Sequence, residues 1–266
     1  MSNKIKVEKL GVVLEPTKKP FESKAVLNPA CYQDGEYVHL FYRAVDKNHN
    51  SSIGYAKLKG PTEVVERSEE PVINRTLKYE SHGVEDPRIV KIKDTFYITY
   101  VAHDGKNALI AYTTSKDLKT FEKHGIISPQ ITYDEVGKIL EGKKLKDRYL
   151  LFGAFYEDSA GKDVLLWEKD ALIFPEKIHG HFAMTHRILP DMHIVYFKDF
   201  KELKSKKFWK EHLAALPKHV VLENKYWFES RNIGGGAPPI ETERGWLFIY
   251  HGVEELNKAR IYHACA

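Results

Sequence analysis

Cysteine is nearly absent from this 266-residue chain, which has 2, Cys31 and Cys265, at opposite ends. Two cysteines cannot supply the disulfide framework of a small secreted domain, which points to a reducing compartment. Long apolar runs are missing as well. No stretch reaches the roughly 18 apolar residues of a membrane span, and the opening MSNKIKVEKLGVVLEP lacks the apolar core and cleavage site of a signal peptide. The expectation is a soluble, cytoplasmic protein. Charge of one sign is also scarce: 41 Lys+Arg against 37 Asp+Glu leave a net charge of +4. Without a basic block, nucleic acid and membrane are not expected partners. With 42% hydrophobic residues the chain can bury a full core, so disorder is excluded and residues 1–266 read as one domain.

Most of the chain consists of short runs rich in Tyr, Phe, Val and Ile, separated by Gly, Asp, Asn and Lys, which is an all-β pattern. Only ITYDEVGKILEGKK and SKKFWKEHLAAL read as amphipathic helices. The second presents Phe208, Leu213 and Leu216 on one side, and Pro217 stops it. One unit recurs: a turn with Gly or Asp, an aromatic strand, a loop and a second strand. It runs from Asp34 to Gly60, Asp94 to Leu118, Gly180 to Leu203 and Gly245 to Cys265, with an extra candidate hairpin from Asp147 to Trp167. A hairpin cannot bury both faces alone, and radial stacking into a β-propeller is one way to cover them. A β-sandwich is the alternative.

The segment GVEDPRI, Gly83 to Ile89, is the most informative. Pro87 pushes Asp86 away from the α region, so an extended conformation is expected that puts Asp86 and Arg88 on one side and Glu85 on the other. Either the carboxylate is presented for chemistry, or Asp86 or Glu85 pairs with Arg88 to pin a turn. At LNPA, Asn28 precedes Pro29 ahead of a strand carrying Arg43, placed to bond a ligand hydroxyl or to close a turn. EKDALIFPEKIHGHFAMTHR gathers Lys169, Asp170, Lys177, His181, His186 and Arg187. NIGGGAPP, before a strand ending in His251, either admits a ligand close to the main chain or forms a packed corner. His179 and His181 alternate as metal ligands would, but no HExxH, CxxC or carboxylate partner accompanies them, so no catalytic metal and no cofactor are expected. GxSxG and phosphate-loop patterns are missing too.

Taken together, LNPA with FYRA, GVEDPRI with DTFYITYVAHDG and TTSKDLKTFEKHG, KDALIFPEKIHGHFAMTHR, and IGGGAPPIETERGWLFIYHGV resemble glycoside hydrolase family 130, the β-mannoside phosphorylases and their hydrolytic relatives. The resemblance runs from about Ala25 to the end. It implies a five-bladed β-propeller, here with four blades or an incomplete propeller, since roughly fifty further residues would supply a fifth. It also implies inverting chemistry at a β-linked mannose, with a mannose-containing oligosaccharide as partner, inorganic phosphate as co-substrate and a possible homo-oligomer.

Carried over by position, Asp86 matches the general acid, which acts through a hydroxyl of the bound mannose. Asn28, Arg43, Glu85, Arg88, Asp170 and His251 match sugar-binding positions, and Lys169, His186 and Arg187 phosphate-binding ones. Where family members often carry Arg before the EDP and Lys after the FPEKI glycine, this chain has Val84 and His181. Phosphorolysis is therefore set beside hydrolysis, with Glu229, Glu241 or Asp170 as base, and beside a non-catalytic carbohydrate-binding propeller. A cation close to Asp86 favours its charged form, whereas a general acid must start protonated.

Overall fold

The computed structural model describes residues 7–257 and 259–266. Its first antiparallel meander comprises β1 (Ala25–Asp34), β2 (Tyr37–Val45), β3 (Ser51–Lys59) and β4 (Glu63–Arg67). The second comprises β5 (Gly83–Ile92), β6 (Thr95–His103), β7 (Ala108–Ser115) and β8 (Glu122–Ile126). One parallel pair, Ser51 with Gly83, links them. Helices α1 (Tyr133–Leu140) and α2 (Arg148–Ala160) follow. A third sheet orders β9 (Lys169–Ile173), β10 (Phe182–Ile188), β11 (Asp191–Phe197) and, after α3 (Lys206–Ala214), β12 (Val220–Leu222). The last strands are β13 (Asn232–Gly235), the small hairpin β14 (Ile240–Thr242) and β15 (Gly245–Leu247), then β16 (Tyr250–Leu256) and β17 (Ala259–Cys265), with sheet order β13-β16-β17.

The recurring sequence units are the second and third strands of each sheet, and the repeat extends further N-terminally than the pattern indicated, to include β1, β5, β9 and β13. Alternating Tyr, Phe, Val and Ile build these strands because branched and aromatic side chains pack on a pleated, half-buried surface. Phe41, Ile53, Ile73, Val84 and Ile98 form a core between the first two meanders. Ile110, Ile127, Leu166, Val195, Phe197 and Trp209 form another where the second meander meets the third sheet and the helices. Val84 is thus committed to core.

Two of the three helices follow the sequence expectation. Thr132 caps α1 through the backbone N–H of Glu135, and Ser205 caps α3 through that of Phe208. Leu213 and Leu216 are buried with Trp209, whereas Phe208 is only half-buried. The third departs from it: residues 148–160, expected as a hairpin arm, are helical. Their apolar run, Tyr149 to Tyr156, has no clear period, so its pattern fits either state. Packing decides, because as a helix Tyr156 stacks on Tyr133 of α1 at 5.3 Å and meets Trp167 at 4.6 Å. Among the described residues no helix is long and apolar enough to cross a membrane.

Candidate active site

Strands β1, β5 and β9 each break register at one point, and each break carries a residue in the left-handed region: Asn28 (φ 49°), Asp86 (φ 50°) and Asp170 (φ 57°). Asn and Asp are the non-glycine residues that tolerate this region best. Pro87 does exclude the right-handed α region for Asp86, but the backbone takes the left-handed well rather than the extended one expected. The bulge breaks alternation, so Glu85 and Asp86 share a partner instead of facing opposite ways.

That partner is Arg43, on β2. Its Nη2 donates to Glu85 Oε1 at 2.7 Å, its Nη1 lies 3.4 Å from Asp86 Oδ1, and its Nε is fixed by Ser51 Oγ at 2.8 Å. Asn28 Nδ2 donates to Asp86 Oδ1 at 2.7 Å, and Lys169 Nζ lies 3.3 Å from Glu85 Oε2. Among the described residues Arg88 forms no ion pair with Glu85 or Asp86. It donates to the carbonyls of Pro87 and Gly235 and lies 3.7 Å from Asp170. Arg187 Nη1 is 2.6 Å and His251 Nε2 4.0 Å from Asp170 Oδ2. Four cations and three carboxylates from β2, β5, β9 and β10 therefore converge, joined by Asn28 of β1 and His251 of β16.

Burial alone would raise the Asp86 carboxyl, but Lys169, Arg43, the Asn28 amide and Arg88 outweigh it and hold Asp86 below the usual carboxylate range. Asp86 is ionised in the free protein. Burial holds His251 low against the pull of Asp170, leaving its imidazole neutral. Gly234, on β13, is required by close approach: a side chain there would overlap Asp170 Oδ2 and His251 Nε2.

Asn28, Arg43, Glu85, Asp86, Arg88, Lys169, Asp170, Arg187 and His251 are brought together as the sequence indicated. His186 is not. It is 1% exposed, on the opposite face of β10 from Arg187, with Nδ1 2.9 Å from Glu168 and Nε2 3.1 Å from His212. Period-two alternation makes adjacent strand residues point opposite ways, so His186 and Arg187 cannot both reach the charged cluster. Of the proposed bases, Glu229 is enclosed and bonded to Tyr250 and to the backbone of Lys225 and Tyr226, and Glu241 is exposed on β14. His181 caps its own turn, its Nδ1 3.0 Å from the His179 carbonyl. Ser51 went unrecognised, because only the β2–β3 register brings it to Arg43.

The family profile described as beta-1,4-mannooligosaccharide phosphorylase, glycoside hydrolase family 130, matches residues 4–266. The chain belongs to glycoside hydrolase family 130. Among curated members, the 1,2-beta-oligomannan phosphorylase of Thermoanaerobacter sp. (strain X514) is 30% identical over 270 residues, spanning 97% of this chain and 75% of that protein. The beta-1,2-mannobiose phosphorylase of the same organism is 31% identical over 266 residues, 94% of this chain and 72% of that protein. The solved beta-1,2-mannobiose phosphorylase from Listeria innocua, in complex with beta-1,2-mannobiose, shares the fold with a TM-score of 0.63 at 20% identity, covering 94% of this chain and 73% of that one.

Proposed function

We propose that this family 130 protein is an inverting β-mannoside phosphorylase, built on consecutive blades of a β-propeller. The observation that carries the reading is the convergence of Arg43, Arg88, Lys169 and Arg187 in one charged cluster beside Asp86. A phosphorylase must hold a dianion next to a sugar developing positive charge, and fixed cationic donors do this at least cost.

In the proposed step a phosphate oxygen attacks the anomeric carbon from the face opposite the leaving group. The glycosidic C–O bond breaks, and its electron pair goes to the leaving oxygen. That oxygen gains the proton that Asp86 supplies by way of a mannose hydroxyl, giving α-mannose 1-phosphate and a shortened sugar. Asn28 and Arg43 orient Asp86, and Asp170 orders Arg88 and Arg187.

The depressed Asp86 carboxyl is reconciled with its acid role by charge balance. The cluster carries one excess positive charge when empty. A bound dianion reverses that sign, so the free energy that kept Asp86 ionised now favours proton uptake.

The test is incubation with β-1,2- and β-1,4-linked mannooligosaccharides with and without phosphate. Mannose 1-phosphate formed only with phosphate is expected. Free mannose released at the same rate without phosphate would replace the reading with hydrolysis, and sugar binding without turnover would replace it with a non-catalytic one.

A further inference from the structure

The triplet aromatic-Glu-Ser occurs at Phe21-Glu22-Ser23, Tyr79-Glu80-Ser81 and Phe228-Glu229-Ser230, ahead of β1, β5 and β13. All three glutamates are buried, and each accepts a tyrosine hydroxyl from the second strand of its sheet: Tyr42 to Glu22 at 2.6 Å, Tyr100 to Glu80 at 2.7 Å, Tyr250 to Glu229 at 2.8 Å. The residue after each tyrosine is Arg43, Val101 or His251, two of them cleft residues. In the third sheet the same pairing is made by Glu168 and His186, 2.9 Å apart and fully enclosed. The residues that follow these two are Lys169 and Arg187.

We propose that Glu168 and His186 are positioning residues that fix Lys169 and Arg187, with His186 as the imidazole counterpart of Tyr42, Tyr100 and Tyr250. Lys169 and Arg187 face each other in the β9–β10 register, so one bond between the residues preceding them locks both backbones. The other glutamates have further donors: Arg67 and Thr17 for Glu22, Lys123 and two backbone N–H groups for Glu80, two backbone N–H groups for Glu229. Among the described residues Glu168 Oε2 has no hydrogen-bond partner, so its orientation depends on His186. An imidazole also has a second nitrogen, which a phenol lacks. His186 Nε2 uses it on His212 Nε2 of α3 at 3.1 Å, and the His212 ring is stacked on His219 at 4.4 Å. Helix α3 thereby braces the cationic half of the cleft.

The inference rests on the phosphorylase reading, because it assigns Lys169 and Arg187 to the anion. The test measures KM for phosphate, KM for mannobiose and kcat in His186→Ala, in Glu168→Gln, and in the double variant His186→Tyr/His212→Ala, which restores a hydroxyl where the other three sheets have one and makes room for it. His186→Ala is expected to raise KM for phosphate on the order of tenfold, the scale of a sub-ångström displacement of positioning groups, with KM for mannobiose and kcat within threefold. Glu168→Gln shifts the same parameter in the same direction, and the double variant brings it back toward wild type.

A phosphate-dependent wild type whose His186→Ala and Glu168→Gln forms keep KM for phosphate within twofold, with only a lower Tm, overturns the proposal and leaves the phosphorylase reading intact. A wild type whose turnover ignores phosphate overturns the phosphorylase reading and this proposal with it.

Discussion

Binding of a doubly charged anion should load Asp86 with a proton, and sulfate is the probe of choice because it carries no titrating proton near neutral pH. Asp86 sits 3.4 Å from Arg43 and accepts from Asn28, and with Lys169 and Arg88 these hold its carboxyl below the usual range. A dianion about 6 Å from that carboxylate, at an effective dielectric of about 20, disfavours the ionised form by about 5.5 kcal/mol. The bound dianion therefore moves the Asp86 carboxyl upward from its depressed starting point, toward the protonated form. Calorimetric titration with sulfate at pH 5.5, repeated in buffers of different ionisation enthalpy, reads the proton stoichiometry directly. Wild type is expected to take up more protons than Asp86→Asn, the difference removing any contribution from His251 or other groups common to both. Equal uptake by the two proteins, at measurable sulfate affinity in both, would refute the charge-reversal account of how the acid is armed.

Asp86→Asn itself should lower turnover by on the order of 10²- to 10⁴-fold with the fold retained, as checked by mannose 1-phosphate formation and circular dichroism. Gly234→Ala should cost on the order of tenfold in kcat/KM and about 1–3 kcal/mol in denaturant unfolding, because its Cβ displaces Asp170 or His251. Burial keeps the enclosed His193 and His212 neutral, with folded-state pKa values below the ordinary His value. Only the unfolded chain gains those protons on acidification, so stability is present above about pH 6.5 and falls below it, by about 2 kcal/mol for the pair between pH 6.5 and 5.5 in urea unfolding. Substituting both by Gln should flatten that slope. Glu241→Gln, on the exposed hairpin β14–β15, should leave kcat within twofold, and a large loss would return it to the catalytic centre.

Alternating apolar and polar residues made the sheets readable, and asparagine or aspartate before proline stands at two of the three places where the inner strands break register, Asn28 and Asp86 but not Asp170. The helix at 148–160 was not readable, because a continuous apolar run satisfies a strand and a helix equally until Tyr133 and Trp167 give it something to stack on. His186 was misplaced because it adjoins Arg187, and sequence proximity says nothing about face until the register is known.

The sequence by itself determined the strand units and the family, and nine of its ten candidate site residues gather in one cluster, since local pattern and motif identity are properties of the chain. The tertiary structure decided which cation meets which carboxylate, that Arg88 serves Asp170 rather than Glu85, and that Asp86 is ionised in the empty cleft. Those outcomes depend on distances of a few ångströms between different sheets, and electrostatic energies at such distances are set by neighbours that no local stretch of sequence contains.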